Sequence, residues 1–235
     1  FMKTSNFITL IIAAIIISCE GKNEHSTTLS QPEITTYAQI DSVYNSFQKI
    51  SFSELPERYR DVAGLTDRYE QTYKNSEFLI VRRKNLDKNL VADVSVSAFL
   101  PEYNPICPPS FSCGRNTFFL LVNKKLLYRI LDLKKALEKN GYNKNGFRVR
   151  ESFRPPVLNE AVGGARGSQH MYGNAADLIV RDVDNDGKVD NSDKQILLGL
   201  LEKIIGNSGG IGRYPGTTSI HIDVRGFRVR WDFQN

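Results

Sequence analysis

In the segment SQHMYGNAADLIV, Ser168 to Val180, a histidine and an aspartate stand seven residues apart around a glycine. That spacing restricts the backbone. For His170 and Asp177 to meet, the chain must turn sharply at Gly173 and enter a strand through Ala175, Ala176 and Asp177. A third donor is available at His221, in SIHIDVRG. Catalytic zinc commonly takes three protein ligands and leaves the fourth position to water, so two His and one Asp form a hydrolase-type set. The competing reading has His170 capping a loop and Asp177 paired with a nearby arginine.

The flanking sequence supplies elements on which such a site can sit. Leu126, Ile130, Leu133 and Leu137 recur at helical spacing and Gly141 stands where a helix would end, predicting a helix over Lys124 to Asn140. FRVRES then alternates, with Phe147 and Val149 facing a core and Arg148, Arg150 and Ser152 facing the other way. This strand delivers Arg154 to a turn made by Pro155 and Pro156.

DVDNDGKVDNSD follows the Asp177 strand and places Asp182, Asp184, Asp186, Asp190 and Asp193 at loop positions 1, 3, 5, 9 and 12. Gly187 falls at position 6, and Lys188 at position 7 offers its carbonyl. This is EF-hand spacing for Ca²⁺, closer to a dockerin loop because position 12 is Asp; a solvated acidic turn is the alternative. A single loop lacks the repeat a dockerin needs. The helix predicted over Ser192 to Ile205 would start from it. Gly209, Gly210 and Gly212 then either admit a peptide substrate or only make a turn, and Asp223 to Trp231 predicts a closing hairpin with Trp231 in the core, a substrate subsite being the lesser reading.

At the other end, Lys3 precedes an apolar run from Phe7 to Ile17 that is short for a membrane span and reads as a signal. Ile16, Ile17, Ser18 and Cys19 resemble the lipobox of bacterial lipoproteins, which implies lipidation of Cys19 and export. Residues 1–18 are then a signal peptide and 19–36 a polar tether containing His25, a solvated linker histidine. In an oxidising compartment Cys107 and Cys113, in CPPSFSC, can close a small disulfide ring. A net charge of +5, or +4 without Lys3, suits an anionic envelope polymer, and no aromatic-and-basic motif points to nucleic acid. In residues 37–117 a helix is predicted over Tyr37 to Lys49 and strands over Phe78 to Val81 and Ala92 to Ala98. No chemistry stands out there; the region is expected to pack on the domain that follows.

SFRPPVLNEAVGGARGSQHMYGNAAD, with GGIGRYPG and HIDVRG, resembles the M15 family of zinc D-Ala-D-Ala peptidases. The likeness covers about Phe118 to Trp231 and implies zinc on His170, Asp177 and His221, with Arg154 binding the substrate carbonyl or carboxylate; a surface ion pair is the lesser role. Branches of that family carry an acid three positions before the last His, or a His two before it, where this chain has Thr218 and Ser219. Asp223 shares a strand face with His221, so it is either the base beside the metal-bound water or a group orienting His221; a base elsewhere stays open.

Together these readings predict an α+β fold: a small, mostly antiparallel sheet carrying the zinc site, helices on one side, and a peptidase domain over 118–235 with the calcium loop at 182–193. The expected protein is a monomer, lipid-anchored to a bacterial membrane and facing periplasm or cell surface. Its expected activity is zinc-dependent hydrolysis of a D-amino-acid-containing bond in peptidoglycan stem peptides or cross-links, of D-Ala-D-Ala carboxypeptidase or endopeptidase type. The alternative is a non-catalytic, zinc-containing peptidoglycan-binding lipoprotein.

Overall fold

The stripe of Leu126, Ile130, Leu133 and Leu137 is the buried face of a 16-residue helix, Lys124–Lys139, capped by the Asn123 side chain. It lies at the centre of a computed structural model that describes residues 31–101 and 116–233. In chain order the elements are α1 (Tyr37–Asn45), β1 (Lys49–Ser51), α2 (Glu57–Ala63), α3 (Glu70–Tyr73), β2 (Glu77–Arg82), β3 (Asn89–Val91), β4 (Val94–Ser95) and β5 (Thr117–Leu120). There follow α4 (Lys124–Lys139), β6 (Phe147–Glu151), α5 (Pro156–Ala161), β7 (Ala175–Val180), α6 (Asn191–Ile205), β8 (Gly210–Arg213), β9 (Ser219–Asp223) and β10 (Val229–Asp232). Cys19, His25, Cys107, Cys113 and the signal segment lie outside the described residues.

The fold is α+β, as expected. Its main sheet runs β10-β8-β9-β7-β6, and every pairing is antiparallel except β10 with β8. The two-residue period of β7 and β9 divides the site from the core. Ala176, Leu178, Val180, Ile220 and Ile222 join Leu197, Leu201 and Ile205 of α6 in the core cluster. Asp177, His221 and Asp223 are thereby left on the opposite face.

Several expectations change. Helix α1 stops at Asn45, because Ser46 turns its hydroxyl back onto the Val43 carbonyl at 2.6 Å, and Lys49 opens β1 instead. The tether is shorter at its inner end: Ile34 is buried and its N–H donates to the Ala92 carbonyl at 3.0 Å. The alternation of 92–98 does not make one strand. Ala92 turns at φ 49°, Asp93 is drawn to Lys134 at 2.7 Å, and Val96–Phe99 coils into a 3-10 turn that buries Val96 and Phe99. Nor do 223–231 form a hairpin. β10 crosses to the far side of β8 and pairs parallel, with Trp231 beside Gly212, where an added Cβ would lie 2.5 Å from the indole.

Strand β6 also departs from simple alternation. Its register shifts between Val149 and Glu151, which leaves Glu151 opposite Asp177. Glu151 and Ser152 are both buried, and the Ser152 hydroxyl donates to the Ala175 carbonyl at 2.9 Å.

The N-terminal part forms an antiparallel sheet, β1-β2-β5, and supports the turn that carries His170. Phe78 meets Phe153 edge-on at 5.8 Å, and the buried Tyr73 hydroxyl donates to the Met171 carbonyl at 2.8 Å. Gly173 sits at φ +65°, and an added Cβ there would come within 2.4 Å of the Leu121 carbonyl oxygen. Tyr73→Phe keeps the ring but orphans the Met171 carbonyl. It should lower stability by about 1–3 kcal/mol in urea denaturation, and an unchanged midpoint would deny the tyrosine this supporting role.

Candidate metal centre

Asp177 on β7 and His221 on β9 are cross-strand partners in register, so their side chains emerge side by side. His170 reaches them from the 3-10 turn Gln169–Tyr172, which Gly173 closes in the left-handed conformation. His170 Nε2 lies 3.3 Å from Asp177 Oδ1, His221 Nδ1 lies 3.2 Å from that same oxygen, and the two nitrogens are 3.1 Å apart. Zinc bonds of about 2.0–2.1 Å at tetrahedral angles space ligand atoms by about 3.3 Å, so this triangle has the dimensions of one face of a zinc coordination shell. All three residues are buried.

The outward nitrogens are held from behind. His170 Nδ1 is 2.6 Å from the Ser152 carbonyl oxygen, and His221 Nε2 is 3.2 Å from Asp223 Oδ2. Both partners accept, so the outward nitrogens carry the protons and the inward ones present lone pairs. Three lone-pair donors aimed at one buried point repel one another unless a cation or protons lie between them. The charges agree with this. Burial pushes the Asp177 carboxyl up, but His170 and His221 outweigh it and hold it well below the ordinary range. Burial pushes His221 down, yet its bonds to Asp177 and Asp223 leave it raised.

Asp177 uses one oxygen on this triangle. Its Oδ2 faces Arg150 Nη2 at 3.3 Å and Arg154 Nη2 at 3.5 Å. Arg154 is itself gripped by Glu151, which accepts from Nε at 2.8 Å and Nη2 at 2.6 Å. Asp223 stands behind His221, away from the cleft, and is fully buried. It accepts from the Gly210 N–H at 2.9 Å and from Arg225 Nε and Nη2 at 2.8 and 2.6 Å. Burial raises this carboxyl, but the bonds from His221 and Arg225 prevail and keep it far below the usual carboxylate range. Of the two positions open to Asp223, its contacts are those of a group orienting His221, not of a base beside the water.

The triangle opens into a cleft of about 530 Å³ lined by Glu151, Arg154, Tyr214, Trp231 and the glycine-rich stretch 163–168. Trp231, expected in the core, is only partly buried, with its ring 4.9 Å from that of His221. Burial pushes the Tyr214 hydroxyl up to about 12, so it is a neutral phenol in the cleft. The glycines of 209–212 admit the protein's own groups. A Cβ on Gly209 or Gly210 would strike Asp223 at 1.9 or 2.2 Å, and one on Gly212 would strike Trp231. Glu151, Arg150, Tyr214 and Arg225 were not singled out in the sequence. For Glu151 the signal was hidden by the bulge; for Arg225 it was present as the residue two after Asp223.

In the acidic loop, carboxylate oxygens of Asp182, Asp184 and Asp193 lie within 4.8 Å of one another. Asp186 and Asp190 instead accept from the N–H groups of Lys188 and Ser192, at 2.8 and 2.7 Å. Asp193 accepts from Val183 and Asp190 N–H groups and completes a capping box for α6. Asp182 Oδ2 takes the Gly187 N–H at 3.0 Å, while its Oδ1 is buried with no hydrogen-bond partner.

Two imidazoles and a carboxylate converging beside a fixed guanidinium are the donor set of a metal-dependent hydrolase. Residues 113–223 match the family model described as Peptidase M15, a span that includes Arg154, His170, Asp177, His221 and Asp223, and the match supports a metallopeptidase. No curated protein matches the chain.

Proposed function

We propose that this chain is a zinc-dependent peptidase that hydrolyses a D-amino-acid-containing bond in peptidoglycan stem peptides or cross-links. The single observation behind the zinc chemistry is the 3.1–3.3 Å triangle of His170, Asp177 and His221 with both outer imidazole nitrogens already held. The substrate class rests on the family match. Zinc in such a site acidifies a water and polarises a carbonyl. His170, Asp177 and His221 would hold it, and Arg150 and Arg154 on Oδ2 restrict Asp177 to one coordinating oxygen. Arg154 would stabilise the developing oxyanion. Asp223 acts through His221, fixing its tautomer and tilt. Export and anchoring at Cys19 belong to the same proposal.

The test is a digest of purified muropeptides analysed by mass. Zinc-loaded protein should release a product whose mass identifies the bond, chelation should stop cleavage, and added zinc should restore it. Thr218 and Ser219 bring no carboxylate to the site, so absence of cleavage together with pelleting on sacculi would favour the non-catalytic binding protein.

We also propose Ca²⁺ for the loop at 182–193, on the strength of the orphaned Asp182 Oδ1 beside Asp184 and Asp193. The loop caps α6, whose Lys194 ammonium donates to the Tyr214 and Thr217 carbonyls at 2.7 and 2.6 Å and so ties the helix to the chain bearing Tyr214. Millimolar calcium should raise the melting temperature by several degrees, and Asp182→Asn should remove most of that gain. A melting temperature indifferent to calcium would count against the site.

A further inference from the structure

We propose that Glu151 sets this site for internal peptide bonds and against free C-terminal carboxylates. The inference rests on the peptidase reading above and narrows its substrate. Glu151 is 3% exposed, lines the cleft, and is brought opposite Asp177 by the bulge in β6. An arginine recognises a carboxylate best through two parallel N–H groups on one edge of its fork. In Arg154 the Nε and Nη2 edge is already filled by the two Glu151 oxygens, and Nη2 also faces Asp177. Its Nη1 makes no hydrogen bond among the described residues. Arg154 therefore has one nitrogen for a substrate, which suits a single carbonyl or oxyanion oxygen and not a two-oxygen carboxylate.

The other arginines of the cleft are committed in the same way. Arg150 sets Nη2 on Asp177 and Nη1 on Ser219 Oγ, at 3.3 and 3.4 Å, and Arg225 gives Nε and Nη2 to Asp223. A carboxylate arriving beside Arg154 would also meet the negative charge of Glu151, whose burial leaves that repulsion poorly screened. An amide at the same place carries no charge and meets no such opposition.

Two probes separate these cases: N-acetyl-D-alanyl-D-alanine as the free acid and as its C-terminal amide. Each is titrated calorimetrically into the zinc-loaded full chain and assayed for kcat and KM. The wild-type protein should bind the amide about tenfold more tightly than the acid. Glu151→Gln should lower KM for the acid about tenfold relative to that for the amide and so abolish the preference. Glu151→Asp, which keeps the charge, should keep the preference for the amide. A wild-type preference for the acid, or equal shifts for both probes in Glu151→Gln, would overturn the proposal while leaving the peptidase reading intact. Binding of neither probe by the wild-type protein would overturn this inference alone where muropeptides are still cleaved, and the peptidase reading with it where they are not. Should Glu151→Gln fail to fold, the wild-type ratio of acid to amide decides.

Discussion

Asp177→Asn is expected to remove the metal and the peptidase activity together. Asp177 is the one anion of the triangle, it is 2% exposed, and both imidazoles approach the same oxygen. An amide keeps the shape and loses the charge that opposes the convergence of a dication with Arg150 and Arg154. Loss of a group that merely orients a ligand typically costs 10–100-fold in metal affinity, so loss of this ligand's charge should cost more than about 100-fold. Arg154 retains Glu151 in the variant, so the fold should survive. Zinc content after dialysis and muropeptide turnover are the readouts. Full zinc retention with turnover within about tenfold of wild type would contradict this role.

The second large effect is expected from Arg154→Ala. If the remaining nitrogen of Arg154 faces the developing oxyanion, kcat should fall by about 10²–10³ with little change in KM, the usual consequence of deleting one such donor. Stability should fall as well, because the buried Glu151 loses its partner; breaking a buried pair from one side costs about 3–5 kcal/mol. The two effects separate in the double variant Arg154→Ala with Glu151→Gln. Stability should largely return there, whereas kcat should not. Recovery of kcat in the double variant would mean that Arg154 serves only to neutralise Glu151.

Much of the candidate centre was legible because its residues obey local rules. Gly173 between His170 and Asp177 announced the turn, and the alternation of Asp177 and His221 with Ala176, Leu178, Ile220 and Ile222 put both side chains on one face of adjoining strands. The leucine stripe of α4 was equally direct. What escaped depended on long-range contacts. The inward turn of Glu151 comes from a one-residue shift against β7, which periodicity within FRVRES cannot reveal. β10 pairs with β8, not with its sequence neighbour β9, and that crossover sets Trp231 against His221. Tyr73 supports the His170 turn from 98 positions away in the chain, so nothing near either residue announces the contact. Asp223 was ambiguous for a different reason. Sharing a face with His221 is compatible with either side of the imidazole, and only Arg225 and the Gly210 N–H show which side it takes.

The most direct test of the metal centre is a zinc titration of metal-free protein followed by native mass spectrometry, with cobalt substituted for zinc to read geometry from its visible spectrum. The expected result is one tightly held zinc per chain and a tetrahedral cobalt spectrum, both kept in Asp186→Asn of the acidic loop and both lost in Asp177→Asn. Tight zinc binding that survives Asp177→Asn, or none in the wild-type protein, would contradict the assignment of His170, Asp177 and His221 as its ligands.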